Sequence, residues 1–191
     1  MTGLEVKPLT PGRWSDLLEL FGDRGAYSGC WCMFFRRTSA EFEEGCRNKG
    51  AGNRAAFEAL VDRRRSPGLL AYLDGRPVGW CSVAPRNEFG RVERSPVTKP
   101  IDEQEKVWAI VCFYLDRHHR RSGVASALLE AAVTHAAAKG AKVVEGYPID
   151  VKGARKPSAE LYHGTASMFA DAGFEEVARR SPTRPLMRRR A

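Results

Sequence analysis

The 191-residue chain has no apolar run of the roughly 20 residues needed to cross a bilayer. Its first residues, Met1-Thr2-Gly3-Leu4-Glu5-Val6, lack the basic-then-apolar pattern of a secretion signal. The expectation is a cytoplasmic protein with no membrane partner. Cysteine is scarce: five residues, an odd number, without the spacing of a small disulfide scaffold. No internal repeat is visible. Acidic residues are in deficit, 23 against 31 basic, for a net charge of +8. Such an excess can serve nucleic acid, an anionic surface or an acidic small ligand. Much of it sits in Arg63-Arg64-Arg65, Arg179-Arg180 and Arg188-Arg189-Arg190. No aromatic-interleaved basic motif accompanies these runs, so they read as solvated faces rather than a nucleic-acid footprint.

What the chain does contain is an apolar strand, a basic loop and a helix in direct succession. Val107 to Leu115 is nearly all apolar, β-branched or aromatic, as for a strand buried on both faces. Val124 to Val133 has helical spacing and high helix propensity. Between them lies His119-Arg120-Arg121-Ser122-Gly123. Backbone N–H groups at a helix start have no partner inside the helix and favour an anion. Gly123, without a Cβ, lets a phosphate approach the main chain, and Arg120 and Arg121 add charge at the mouth. The alternative is an ordinary strand-to-helix turn with solvated arginines.

Arg120-Arg121-Ser122-Gly123-Val124-Ala125 resembles the Arg/Gln-x-x-Gly-x-Gly/Ala motif of the GCN5-related N-acetyltransferases (GNAT). The order of strand, loop and helix is similar too, and Ala166 to Phe174 resembles the family's late helix ending in Gly-Phe. The likeness is good from about residue 68 to 190 and loose before it. It implies an α/β fold around a mixed, mostly antiparallel sheet flanked by helices, with the cofactor strand and its successor parallel. It also implies acetyl-CoA as donor. Arg120, Arg121, Ser122, Gly123, Val124, Ala125 and Ser126 would hold its pyrophosphate. The main chain of Phe113, Tyr114 and Leu115 would meet the pantetheine arm and thioester, in the gap where the next strand splays away. Relatives often form homodimers.

In chain order, one domain is expected over 1–191: a strand and acceptor-side helices (1–67), a cofactor-binding core (68–148) and a C-terminal helix with strands (149–191). Leu4 to Leu9 could be a first strand. Thr10-Pro11 reads as a cap before a helix carrying Trp14, Leu17, Leu18 and Phe21 on one face, ended by Gly22. Ser39 starts a second helix, interrupted at Gly50 to Asn53. Leu69 to Val83 reads as a hairpin around Asp74-Gly75. Residues 84–106 show no period and form either a functional loop or a surface insertion. Gly140 ends the long helix. Val143 to Tyr147 is the next strand. A helix from Ser158 to Ala172 and two final strands complete the chain.

Tyr27 to Arg37 packs aromatics and two cysteines into eleven residues. Cys30, Cys32 and Cys46 lack a fourth ligand at finger-like spacing, so no metal is expected. Cys-x-Cys is not the usual redox spacing. The residues suit a buried aromatic loop. By the resemblance, this segment covers the acceptor, and Tyr27, Trp31, Phe34 and Phe35 could wall its pocket.

Transfer from a thioester to an amine needs a neutral amine, donors for the oxyanion and a proton for the thiolate. Glu145 and Tyr147 share one face of the strand next to the expected gap and are candidate base and acid. Glu145 could instead face solvent or pair with an arginine. Many relatives carry a tyrosine acid where this chain has Phe169, so Tyr162, Tyr147 or water must replace it. No cysteine has an evident base partner, which favours direct attack in a ternary complex. The expected function is N-acetylation of a small amine. The rivals are an acyl-CoA-binding domain without turnover and a basic nucleic-acid-associated module.

Overall fold

The computed structural model describes residues 3–62, 66–154 and 156–191. The Arg63-Arg64-Arg65 run lies outside the described residues. Alternating side chains of the central strands feed two cores, one on each face of the sheet. Leu69 and Ala71 of β2 (Gly68–Leu73) face one core, Leu70 and Tyr72 the other. The same division holds in β3 (Arg76–Pro85), where Cys81 and Val83 oppose Trp80. Asp74 and Gly75 join these strands in left-handed geometry, φ 49° and 80°, as the expected two-residue turn requires.

Among the described residues the sheet has seven strands in the order β1-β2-β3-β4-β5-β7-β6. β1 (Leu4–Pro8) is one edge, and β6 (Glu175–Arg179) and β7 (Pro185–Arg190) finish the other. Only β4 (Val107–Leu115) and β5 (Val143–Gly146) run parallel; every other pair is antiparallel. This is the mixed, mostly antiparallel architecture expected. The parallel pair is joined by α4 (Val124–Ala138), whose Val124, Leu128, Leu129, Ala132, Val133 and Ala136 pack into the first core. Gly79 of β3 permits the close approach: a Cβ there would stand 2.8 Å from Leu115 and 2.9 Å from Val124. On the opposite face, α1 (Trp14–Phe21) and α2 (Ser39–Asp62) bring Leu17, Phe21, Phe57 and Val61 against Leu70 and Trp80.

Four local expectations need correction. Thr10 is extended, but its hydroxyl makes no cap bond; a 3-10 turn (Pro11–Arg13) leads into α1. The break in α2 comes at Arg47 to Gly50, earlier than expected, where Asn48 and Lys49 join Gly50 at positive φ. There the bare α-carbons of Gly29 and Gly50 meet, and a Cβ on Gly29 would lie 2.8 Å from that of Gly50. Residues 84–106 contain a 3-10 turn (Arg86–Glu88) and α3 (Gly90–Arg94), anchored by buried Phe89 and Val92. Finally, α5 (Ala166–Asp171) begins at Thr165, whose hydroxyl accepts from Met168 N–H, while Ser158–Glu160 is a separate 3-10 turn.

Candidate active site

β5 leaves β4 after the pair Ile110–Gly146. At that point β4 carries one extra residue. Ser82 faces Cys112 while Val83 faces Ile110, so Val111 is a bulge that breaks the ladder with β3. The fork between β4 and the chain after β5 is spanned by residues 162–166. Phe113 N–H donates to Tyr162 C=O, Ile149 N–H to Gly164 C=O at 2.9 Å, and Ala166 N–H to Ile149 C=O at 2.9 Å. Of the main-chain groups of Phe113, Tyr114 and Leu115 expected to meet the pantetheine arm and thioester, the Phe113 N–H is taken by the chain's own Tyr162 carbonyl. The open space lies alongside the fork, as a cleft of about 1170 Å³.

This cleft brings together much of what the sequence singled out. Tyr27, Phe34 and Phe35 line it, with Phe113, Tyr114 and Leu115 of β4, Arg120, Arg121 and Ala125 of the cradle, and Tyr162. The cradle has an anion-binding form. Gly123 precedes α4 at φ 81°, and no side chain among the described residues caps the helix. Its first N–H groups thus point outward beside two arginines. Arg121 is itself left-handed at φ 60°. The loop before it is fixed by Asp116, which accepts from His118 N–H at 2.8 Å and lies 3.1 Å from His119 Nδ1. The other three cradle residues face elsewhere. Ser122 donates to His119 C=O at 2.6 Å, Val124 is buried under β3 and Ser126 is exposed.

Trp31 does not wall the cleft. It is 2% exposed and packs between Trp14 and Phe21, with ring centroids 6.2 and 5.9 Å away. A Cβ on Gly25 would collide with its indole, so the sequence cue was the glycine six residues earlier. Trp31 instead anchors the loop that carries Tyr27 and Phe34. The same loop is pinned by Asn53, fully buried, whose amide donates to Gly29 C=O at 3.0 Å.

Glu145 and Tyr147 are also not among the cleft residues. Glu145 is fully buried and accepts from Arg188 Nε at 2.9 Å and Arg86 Nη1 at 3.5 Å. The Tyr147 hydroxyl donates to it as well. Burial, reinforced by the neighbouring carboxylate, pushes the Tyr147 hydroxyl well above the usual tyrosine range. The geometry is that of a buried ion-pair hub, so the arginine-paired alternative describes Glu145.

Tyr162 remains on the cleft, half-buried. Its ring stacks on His163 with centroids 4.1 Å apart. Burial raises its hydroxyl pKa, and the Arg184 guanidinium against it opposes the rise. Arg184 Nη2 lies 2.7 Å from His163 Nε2. Since a guanidinium only donates, Nε2 accepts and the ring proton sits on Nδ1. Phe169, where the resemblance expects a tyrosine, is fully buried against Phe113 and Phe174. Sequence reasoning missed Arg184 and His163; their role depends on the β6–β7 turn meeting the segment after β5, which no local pattern records.

Two of the cleft thiols are shifted towards the protonated form. Burial pushes Cys30 up to about 12, and Cys32 is pushed well above its ordinary value by the Cys112 thiol and by burial. Among the described residues no group of three or more His, Cys, Asp or Glu side chains could hold a metal ion. Among the described residues no helix is long and apolar enough to cross a membrane. The basic runs are partly tied down within the chain: Arg179 pairs with Asp150 and Glu176, Arg188 with Asp102, and Arg189 with Glu130.

The fold has solved counterparts. PaiA N-acetyltransferase from Thermoplasma acidophilum, in complex with coenzyme A, is 16% identical with a TM-score of 0.55, each chain covered in full. Ribosomal-protein-alanine N-acetyltransferase from Brucella melitensis is 16% identical with a TM-score of 0.56, over 98% of this chain and 99% of that one. An N-acetyltransferase from Staphylococcus aureus Mu50 is 12% identical with a TM-score of 0.54, over 100% and 98%. At such identities the likeness speaks for the fold alone. Among curated proteins none matches the sequence. The model of the acetyltransferase (GNAT) family matches residues 31–164, a span holding the cradle and the start of the segment that bridges the fork. By that match, which covers more than half its length, the chain belongs to the GNAT acetyltransferase family.

Proposed function

We propose that the protein is an acetyl-CoA-dependent N-acetyltransferase acting on the primary amine of a small molecule, by direct attack in a ternary complex. The observation that carries this reading is the uncapped start of α4, flanked by Arg120 and Arg121, opening into a cleft that follows β4. Those residues fit the donor: helix N–H groups and guanidinium groups suit a pyrophosphate, and the apolar length of the cleft suits a pantetheine arm. Acetyl-CoA supplies the activated acyl group. Phe34, Phe35 and Met168 keep water from the reaction space, and Tyr162 holds the proton that the departing thiolate needs. The Arg184 guanidinium interacts with the Tyr162 hydroxyl and favours its ionised form against the effect of burial. The high thiol pKa values support direct attack over an acyl-cysteine route.

Thermal unfolding with and without acetyl-CoA tests the donor assignment. A ligand at 100 times its dissociation constant adds about 2.7 kcal/mol to the folded state. Wild type is expected to gain a higher midpoint, and Gly123→Glu or the double variant Arg120→Glu/Arg121→Glu to gain none. No shift for wild type at saturating acetyl-CoA would refute the reading. The buried Phe169 favours one rival, a domain that binds acyl-CoA without turnover. That rival requires the midpoint shift without thiol release across an amine panel.

A further inference from the structure

We infer that the acceptor is a weakly basic aromatic amine, neutral at physiological pH, rather than a polycationic or lysine-like amine. The inference rests on the acetyltransferase reading above. The acceptor half of the cleft is walled by Tyr27, Phe34, Phe35 and Phe42, with Cys30 and Cys112 also lining it. Phe34 meets Phe35 and Phe42 edge-on, at centroid distances of 4.9 and 5.3 Å and interplanar angles of 88° and 84°. Perpendicular rings of this kind leave flat faces against which another planar ring can lie.

Aromatic walls can also hold ammonium groups, so the charge around them decides between the two classes. Here one face of Phe34 is already taken by a cation: the Arg91 guanidinium sits 4.1 Å from its centroid, held by a 2.8 Å bond from Nε to Phe34 C=O. The charged side chains lining the cleft are Arg117, Arg120, Arg121 and Lys156, all positive. Arg120 and Arg121 belong to the pyrophosphate end, and among the described residues no carboxylate lines the cleft, so a polyamine would lose its hydration there without gaining a counter-charge.

The proton balance points the same way. A lysine-like amine, with a pKa of about 10.4, is almost wholly protonated at pH 7 and needs a base before it can attack. Among the described residues no carboxylate lines the cleft to serve as that base: Glu145 is held by its arginines, and Asp116 accepts from the turn before the cradle. An aromatic amine, its lone pair shared with the ring, arrives neutral. Its nitrogen forms the C–N bond, and the C–S bond breaks with its electron pair on sulfur. Tyr162 gives its proton to the thiolate and regains one from the nitrogen, so amine and thioester become amide and thiol.

The test measures thiol release from acetyl-CoA with p-toluidine, spermidine and a lysine peptide, alongside the acetyl-CoA midpoint shift. The expected result is a kcat/KM for p-toluidine at least 10-fold above that for spermidine, with little pH dependence between pH 6 and 9. Ser28→Asp places a carboxylate at the exposed rim, at a left-handed position (φ 47°) that Asp tolerates. It is expected to narrow that ratio in favour of spermidine. Faster transfer to spermidine or the peptide by wild type, or a midpoint shift without transfer to p-toluidine, overturns the inference and leaves donor binding standing. Absence of the midpoint shift overturns the acetyltransferase reading, and this inference with it.

Discussion

Glu145, at the middle of the sheet, accepts a 2.9 Å hydrogen bond from Nε of Arg188 on the neighbouring strand β7. The bond crosses directly between register partners of β5 and β7. Arg188 goes on to Asp102, so one guanidinium clamps the sheet to the 84–106 connection. Replacing Glu145 with Gln leaves two mostly buried arginines short of a counter-charge, a change that typically costs about 3 kcal/mol or more. Urea denaturation should show that loss, while acetyl transfer per folded molecule stays within about threefold of wild type. A 100-fold loss of turnover at unchanged stability would restore Glu145 as a base.

Tyr162→Phe removes the hydroxyl with which the Arg184 guanidinium interacts. Proton transfer by a placed acid is worth about 10²-fold at the low end. A free thiol has a pKa of about 8.5, so a thiolate leaves with little help once the pH exceeds that value. The variant should therefore lose kcat near pH 7 and regain much of it above pH 9, with the acetyl-CoA midpoint shift intact. A loss equal at all pH values would assign Tyr162 to binding instead.

Cys30→Ser should keep transfer within about threefold. Burial holds the thiol at about 12, so it is almost wholly protonated at neutral pH and cannot serve as an acyl carrier. Intact mass after incubation with acetyl-CoA should show no acetyl adduct. A stoichiometric adduct abolished by the substitution would sink the direct-attack scheme.

His163 gives the acid limb of stability a specific slope. Burial, with Arg184 beside it, holds the imidazole well below its ordinary pKa of 6.5. Below pH 6.5 the unfolded chain therefore takes up a proton that the folded chain refuses. Stability contributed by the neutral ring is complete above pH 6.5. It falls on acidification by up to about 1.4 kcal/mol per pH unit until the folded pKa is reached. His163→Gln should flatten this limb between pH 6.5 and 5 relative to wild type. Equal slopes for the two proteins would show that the ring titrates freely.

Gly146→Ala should destabilise by about 1–3 kcal/mol. The Phe169 ring lies flush on this α-carbon: a Cβ there would come within 2.7 Å of Cζ and closer still to Cε1. Differential scanning calorimetry reads the loss directly; a neutral result would mean that α5 yields easily. The same contact commits the ring of Phe169 to the core, where it also meets Phe113 and Phe174.

The strand, loop and helix of residues 107–138 could be read in advance because each depends on near neighbours in sequence. So could the Asp74-Gly75 turn and the stops at Gly140 and Gly173, where positive φ selects the residue. The start of α5 could not. Ser158 and Thr165 offer the same capping chemistry, and only the bonds from Phe113 and Ile149 to the intervening chain decide between them. Trp31 was misplaced for a similar reason: aromatic character fits a pocket wall and a core anchor equally. Glu145 and Tyr147 follow the strand's alternation as expected, but the side of the sheet they face holds two arginines contributed from far along the chain.

Ala26, Ser28, Trp31 and Cys32 all sit at positive φ, between 45° and 70°. A loop held in this way, with an indole sunk against α1 as its peg, resists gradual reshaping from within. Drift in what the protein acetylates would then have to run through the outward residues of the same loop, Tyr27 and Phe34, where a side chain can change without withdrawing the peg. Descendants of this sequence are expected to vary at 27 and 34 long before they vary at 25 and 31.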